Sequence, residues 1–167
     1  MKTQFQTDFQ IDRGNAKIYV ERSFNAPLSK VWEAWTKAEI LDKWWAPKPW
    51  KAETVSMDFK EGGKWIYAMV SPEGERHYSI AEYYKIHPQT EIQSGDYFSD
   101  AEGNKDSELP GSTWTKNFVE SSGNVTTVKI QIVYDNPDDL DKYLQMGFQE
   151  GFDKGLNNLE ELIGSKE

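Results

Sequence analysis

The chain has 167 residues, enough for one ordinary domain that buries roughly 70% of the surface its unfolded form exposes. Its 19 Lys plus Arg stand against 28 Asp plus Glu, and the resulting net charge of −9 repels phosphate backbones and anionic lipid, so neither nucleic acid nor a membrane is expected as partner. With no cysteine, disulfides, thiolate metal sites and cysteine nucleophiles are excluded, and the expected setting is the cytoplasm.

The N-terminal segment alternates polar and apolar residues and lacks the basic and apolar regions of a signal peptide. Phe5, Thr7, Phe9 and Ile11 share one strand phase, a turn signal follows at Asp12–Asn15, and Ile18, Val20, Arg22 and Phe24 resume in register. This predicts a first strand that is long or broken by a bulge. No repeat, linker or membrane-length apolar window interrupts the chain, so residues 1–167 are expected to form a single domain with 1–15 as an N-terminal strand extension.

Pro27 suits the first turn of a helix, and Leu28, Val31, Trp32 and Trp35 recur at helical spacing. Thr36 is placed to cap a second short helix carrying Ile40, Leu41, Trp44 and Trp45, which Pro47-Lys48-Pro49 must end. From Trp50 onward the punctuation is that of antiparallel hairpins: Gly62-Gly63, Ser71–Gly74, His87–Gln89 and Ser121–Asn124 separate β-rich runs near 51–58, 64–71, 75–86, 91–98, 112–120 and 124–134. The last run is apolar on one face and polar on the other, so one side of the sheet is covered.

The cover is a C-terminal helix, marked by Asn136 as cap, Pro137 at its first position, and Asp138 and Asp139 at the positive end of its dipole. Leu140, Leu144, Phe148, Phe152, Leu156, Leu159 and Ile163 form one stripe down to Gly164, a helix of about 40 Å at 1.5 Å per residue. Gly147, Gly151 and Gly155 lie four apart on it, each at a cost of roughly 1 kcal/mol in a helix interior. They either let the backbone approach its neighbours closely or leave space beside Phe148 and Phe152.

Three stretches in order, FNAPLSKVWEAWTKAEILDKWWAP, MDFKEGGKWIYAM and GFQEGFDKGLNNLEEL, resemble the activator of heat-shock protein 90 ATPase homologue family, within the START-like helix-grip (SRPBCC) superfamily. The resemblance covers nearly the whole chain from about residue 16. It implies an α+β helix-grip fold, in which a curved antiparallel sheet wraps around a long C-terminal helix, with two short helices between the first and second strands and a cavity between sheet and helix. Lys37-Ala38 replaces a common Asp-Pro, and Ala46 a common Gly. The eukaryotic activators carry an additional N-terminal domain for which 167 residues leave no room, so the family name is not expected to describe this chain's activity.

His77 and His87 do not form a metal-ligand cluster with other residues, the serines have no recognisable His and Asp partners, and Gly62-Gly63 lacks the rest of a phosphate loop, so no catalytic residue, metal or cofactor is assigned. The candidates for ligand contact are Trp45, Trp65, Tyr67, Met69, Tyr78, Glu82, Tyr84, Trp114, Phe148 and Phe152, large side chains that line pockets and cores alike, with one carboxylate to orient a ligand. Strand phase also sets Asp96 between Ser94 and Phe98; a carboxylate there either meets a covered face or turns to water at a strand end. The acidic segment 99–111 is long enough to be a lid or a plain surface loop, and with Trp44-Trp45 it marks the expected entrance. The expected function is binding of an apolar or amphipathic small molecule, physiological ligand unknown. The alternatives are an enzyme of hydrolase or cyclase type in the same cavity, using Glu82 and Tyr84, and a co-chaperone-like module whose partner is a chaperone or a second copy of the chain.

Overall fold

The computed structural model describes residues 5–121 and 124–164. Eight strands form one antiparallel sheet in the order β1-β2-β8-β7-β6-β5-β4-β3: β1 (Asp8–Asp12), β2 (Lys17–Phe24), β3 (Lys51–Met57), β4 (Lys64–Val70), β5 (Arg76–His87), β6 (Glu91–Ser99), β7 (Ser112–Ser121) and β8 (Val125–Tyr134). The six strands expected after Trp50 are present within a residue or two of their expected bounds. Residues 122 and 123, the middle of the turn expected at Ser121–Asn124, lie outside the described residues, as do 1–4 and 165–167.

The N-terminal region is a hairpin, not one long or bulged strand. Asp12 accepts hydrogen bonds from the Asn15 backbone N–H at 3.3 Å and from Asn15 Nδ2 at 2.9 Å, and Ala16 is left-handed at φ 56°, so the chain reverses and Phe9 pairs with Val20, Ile11 with Ile18. A uniform apolar phase on both sides of a turn fits either outcome; the local Asp–Asn bonds decide it.

Two short helices, α1 (Leu28–Thr36) and α2 (Ala38–Trp44), follow β2. Thr36 ends α1 instead of capping α2: its hydroxyl donates to the Trp32 carbonyl at 2.9 Å, and Lys37 takes the cap position. The indole N–H of Trp44 donates to the Ala34 carbonyl at 2.9 Å and fixes the two helices against each other.

The C-terminal segment is two helices rather than one 40 Å rod: α3 (Pro137–Gln145) and α4 (Phe148–Leu159), with Glu160–Gly164 continuing as a π-helical turn. Asn136 caps α3 as expected, accepting from the Asp139 N–H at 2.8 Å. The break is at Gly147, whose φ of +90° suits glycine and would strain other residues. Gly155 does another job: a Cβ there would stand 3.3 Å from the Trp44 carbonyl oxygen and 3.2 Å from that of Trp45, so its absence lets α4 lie against the end of α2.

One buried charge ties this layer to the sheet. Arg22, 3% exposed, donates to Glu160 and, at 2.7 Å, to Thr7 Oγ1, with Asp153 3.8 Å away. The β3 edge carries a register shift at Val55, between Thr54 and Ser56.

Candidate functional site

Paired residues in a sheet share a face, so the register fixes what the helical layer covers. On that inner face one row runs Trp65, Ala81, Asp96, Ser112, Tyr134; the next runs Tyr83, Ser94, Trp114, Ile132, Ile18. Large side chains stand at the ends of the first row and small ones beside Asp96. Towards α1 and α2 the space is filled: Trp35, Trp44, Trp45 and Phe118 meet mostly edge to face with centroids 4.7–6.1 Å apart, near the optimum for aromatic pairs. Around Asp96 it is not.

A cavity of about 610 Å³ remains there, within the usual range for small-molecule sites. The sheet contributes Tyr67, Met69, His77, Ser79, Asp96, Phe98, Ser112 and Trp114; Trp45, Pro47 and Trp50 come from the segment after α2, and Tyr143, Met146, Phe148, Gly151 and Phe152 from the C-terminal layer. Its wall includes residues exposed to solvent, Met146 and His77, so the cavity is open to the surface. The break at Gly147 matters to this wall: five residues along a straight helix turn about 500°, leaving Tyr143 and Phe148 some 140° apart. Across the break their rings lie 4.8 Å apart on one cavity.

The polar atoms are few. Asp96 Oδ1 accepts from Ser94 Oγ at 2.6 Å. Surrounded by protein, the carboxyl has its pKa raised by burial, against the lowering effects of Lys116 and Ser94. It keeps some accessible surface all the same, and that surface faces the cavity. Lys116, on the same face and 6% exposed, has its pKa lowered by burial and held up in part by Asp96. Its ammonium lies over the rings of Trp35, Trp114 and Trp45 at 5.3, 5.6 and 5.8 Å. Burial also raises the pKa values of Tyr67 and Tyr143, with Asp96 adding to both, so these hydroxyls are neutral donors. Among the described residues no group of three or more His, Asp or Glu is placed to hold a metal ion.

Of the residues singled out in the sequence, Trp45, Tyr67, Met69, Trp114, Phe148 and Phe152 meet at this cavity. Trp65 is core, stacked on Tyr67 at 4.1 Å and donating to Thr54 Oγ1 at 3.0 Å. Tyr78, Glu82 and Tyr84 belong to the outer face, which corrects the expected phase of β5. There Glu82 pairs with Lys105 at 3.0 Å, and Tyr84, 46% exposed, lies over Gly95 with its hydroxyl 3.1 Å from that of Tyr97. The inward residues of β5 are His77, Ser79, Ala81 and Tyr83; a register shift at Tyr84 then brings Ile86 inward opposite Ile92. Among the residues that the sequence-based candidate set omits are Asp96, Ser112 and Tyr143 of the cavity wall, and Lys116 behind it. Lys116 shares the phase of Trp114 and Phe118, a signal present in the sequence.

The acidic segment is an ordered turn. Asp100 accepts from the backbone N–H of Glu102 and Asn104 and from Asn104 Nδ2, bonds that also lower its pKa. Gly103 packs on Ile66 and Ile80 of the outer face, while Leu109 and Pro110 reach the cavity; Trp45 lines it and Trp44 is wholly buried.

This geometry has solved counterparts. A Mycobacterium smegmatis protein, Ms6760, is 27% identical with a TM-score of 0.87 over 96% of this chain and 98% of its own. A Staphylococcus epidermidis protein is 32% identical, TM-score 0.80, covering 92% and 93%. An Arthrobacter aurescens protein, 24% identical with a TM-score of 0.85 over 92% and 88%, shares the fold. No curated protein matches the chain. The model of one family matches residues 25–164, the span that holds both helical pairs and all of the cavity, and the chain therefore belongs to the Activator of Hsp90 ATPase homolog 1-like protein family.

Proposed function

We propose that this protein binds one small amphipathic molecule in the space between the sheet and the α3–α4 layer, without covalent chemistry, and works in the cytoplasm. The family fold suits a ligand-binding or a co-chaperone-like module. The observation favouring the first is the 610 Å³ cavity, apolar over most of its wall and carrying the Asp96 carboxyl. Burying about 300 Å² of apolar ligand surface is worth about 7 kcal/mol, against an association cost that starts near 4 kcal/mol, so shape alone supports weak binding and the polar contacts decide affinity. The enzyme alternative loses the acid and base assigned to it, because Glu82 and Tyr84 lie on the other side of the sheet. Among the described residues the large exposed apolar side chains, Ile11, Val55, Val119 and Met146 among them, are distributed over β1, β3, β7 and the end of α3, which gives the co-chaperone-like reading less support than the cavity gives the first.

The test is titration with N-phenyl-1-naphthylamine, a neutral apolar fluorophore, read by energy transfer from tryptophan. Saturable binding of one probe per chain is expected. Ser112→Phe, which fills the space beside Asp96, should abolish it while the protein keeps its cooperative melt. Absence of saturable binding, or an unchanged titration in the filled variant, would overturn the proposal.

A further inference from the structure

Resting on the binding reading above, we propose that the ligand is an amphipathic amine, held by its ammonium against Asp96 with its apolar body among the rings of Trp45, Tyr67, Trp114 and Phe152. Among the described residues the cavity is lined by one carboxyl, that of Asp96, and one of its oxygens is engaged, by Ser94 Oγ at 2.6 Å. Among the described residues no Lys, Arg or His comes within the 4 Å of an ion pair with it.

The charged and titratable groups facing Asp96 come from several elements. His77 on β5, Tyr67 on β4 and Tyr143 on α3 share the cavity, and Lys116 on β7 stands behind in its tryptophan box. The tyrosines are neutral and offer π faces, which attract cations. Lys116 opposes a second cation, yet its ammonium is engaged by three indole rings and Asp96 is beyond its contact distance. A ligand ammonium touching the carboxylate is closer, and Coulomb attraction grows as separation falls. An ion pair with the ligand would also supply what burial denies the free carboxylate, a partner that favours its charged form. A ligand carboxylate would instead meet Asp96 as a like charge. The chain's net charge of −9 favours the approach of cations as well.

Isothermal titration at neutral pH with decylamine, decanol and decanoic acid separates head group from chain. The expected order is amine tightest and acid weakest. Asp96→Asn should weaken decylamine by about 10- to 100-fold, the worth of a hydrogen bond to a charged group, and change decanol by less than about threefold. If all three bind equally, or the acid binds best, the amine assignment fails while the cavity reading stands. If none binds, the cavity reading fails with it. The wild-type order alone decides the head group should the variant not fold, and an amine preference that survives unchanged in Asp96→Asn overturns the role given to Asp96.

Discussion

Arg22 and Asp96 project from the same face of one sheet, yet they sit in opposite circumstances. Arg22 meets Glu160, Thr7 and Asp153, so its charge is matched where the end of the C-terminal layer is clamped to β2. Asp96 has a single serine and an open space. Both charges cost free energy to bury, and only the first is balanced by protein groups. The first is therefore an element of folding, and the second is a group whose partner must come from outside.

The largest expected effect breaks the clamp. Arg22→Ala strands Glu160 without its cation and should cost about 3–5 kcal/mol in chemical denaturation; a loss below about 1 kcal/mol would show that the pair is not structural. Asp96→Asn should act in the opposite direction. The folded state holds the Asp96 proton more tightly than the unfolded chain does, because burial raises its pKa. Its contribution to stability is therefore present at low pH and is lost as pH rises from the ordinary carboxylate range through the raised native value. At neutral pH the asparagine variant should melt higher than wild type by about 3 °C, and the difference should vanish near pH 3. An equal offset at both pH values would count against it. The smallest effect belongs to the outer face: Glu82→Gln and Tyr84→Phe should each change stability by less than about 1 kcal/mol and leave probe affinity as it was. Altered affinity in either would mean that the two faces of the sheet are coupled.

Strand positions are legible in the sequence because Gly-Gly, Pro-Glu-Gly and His-Pro-Gln cut the chain between alternating runs. The face of β5 is not. Tyr78 and Ile80 are as apolar as Ala81 and Tyr83, and Ile80 is buried from outside by the segment around Gly103, a contact between residues far apart in sequence. Three glycines at equal spacing suggest one shared cause, but they serve separately. Gly147 turns the chain, a methyl group on Gly151 would stand 3.7 Å from the Pro47 ring, and Gly155 admits the carbonyls of α2. An apolar stripe that keeps its i, i+4 spacing from Leu140 to Leu156 cannot reveal a change of helix axis at Gly147, since both halves bury the same kind of residue. Six of the ten candidate contacts reach the cavity through hydrophobic phase. The carboxyl that distinguishes it from a core has an inward phase in the sequence, but a turn to water at a strand end fits that phase equally well until the register is known.

The shifted register at Val55 has a consequence for how copies of this protein coexist. β3 and the five-residue β1 form the two margins of the sheet, where unpaired amides and carbonyls would otherwise recruit a neighbour's backbone. At one margin the bulge interrupts that template on a strand that also carries Lys51 and Glu53 ahead of it; at the other the ladder is short and carries Asp8 and Asp12 at its ends. Fibre-like growth by strand addition is thus discouraged at both margins, which allows an incompletely filled interior to persist in a crowded solution without the sheet serving as a seed.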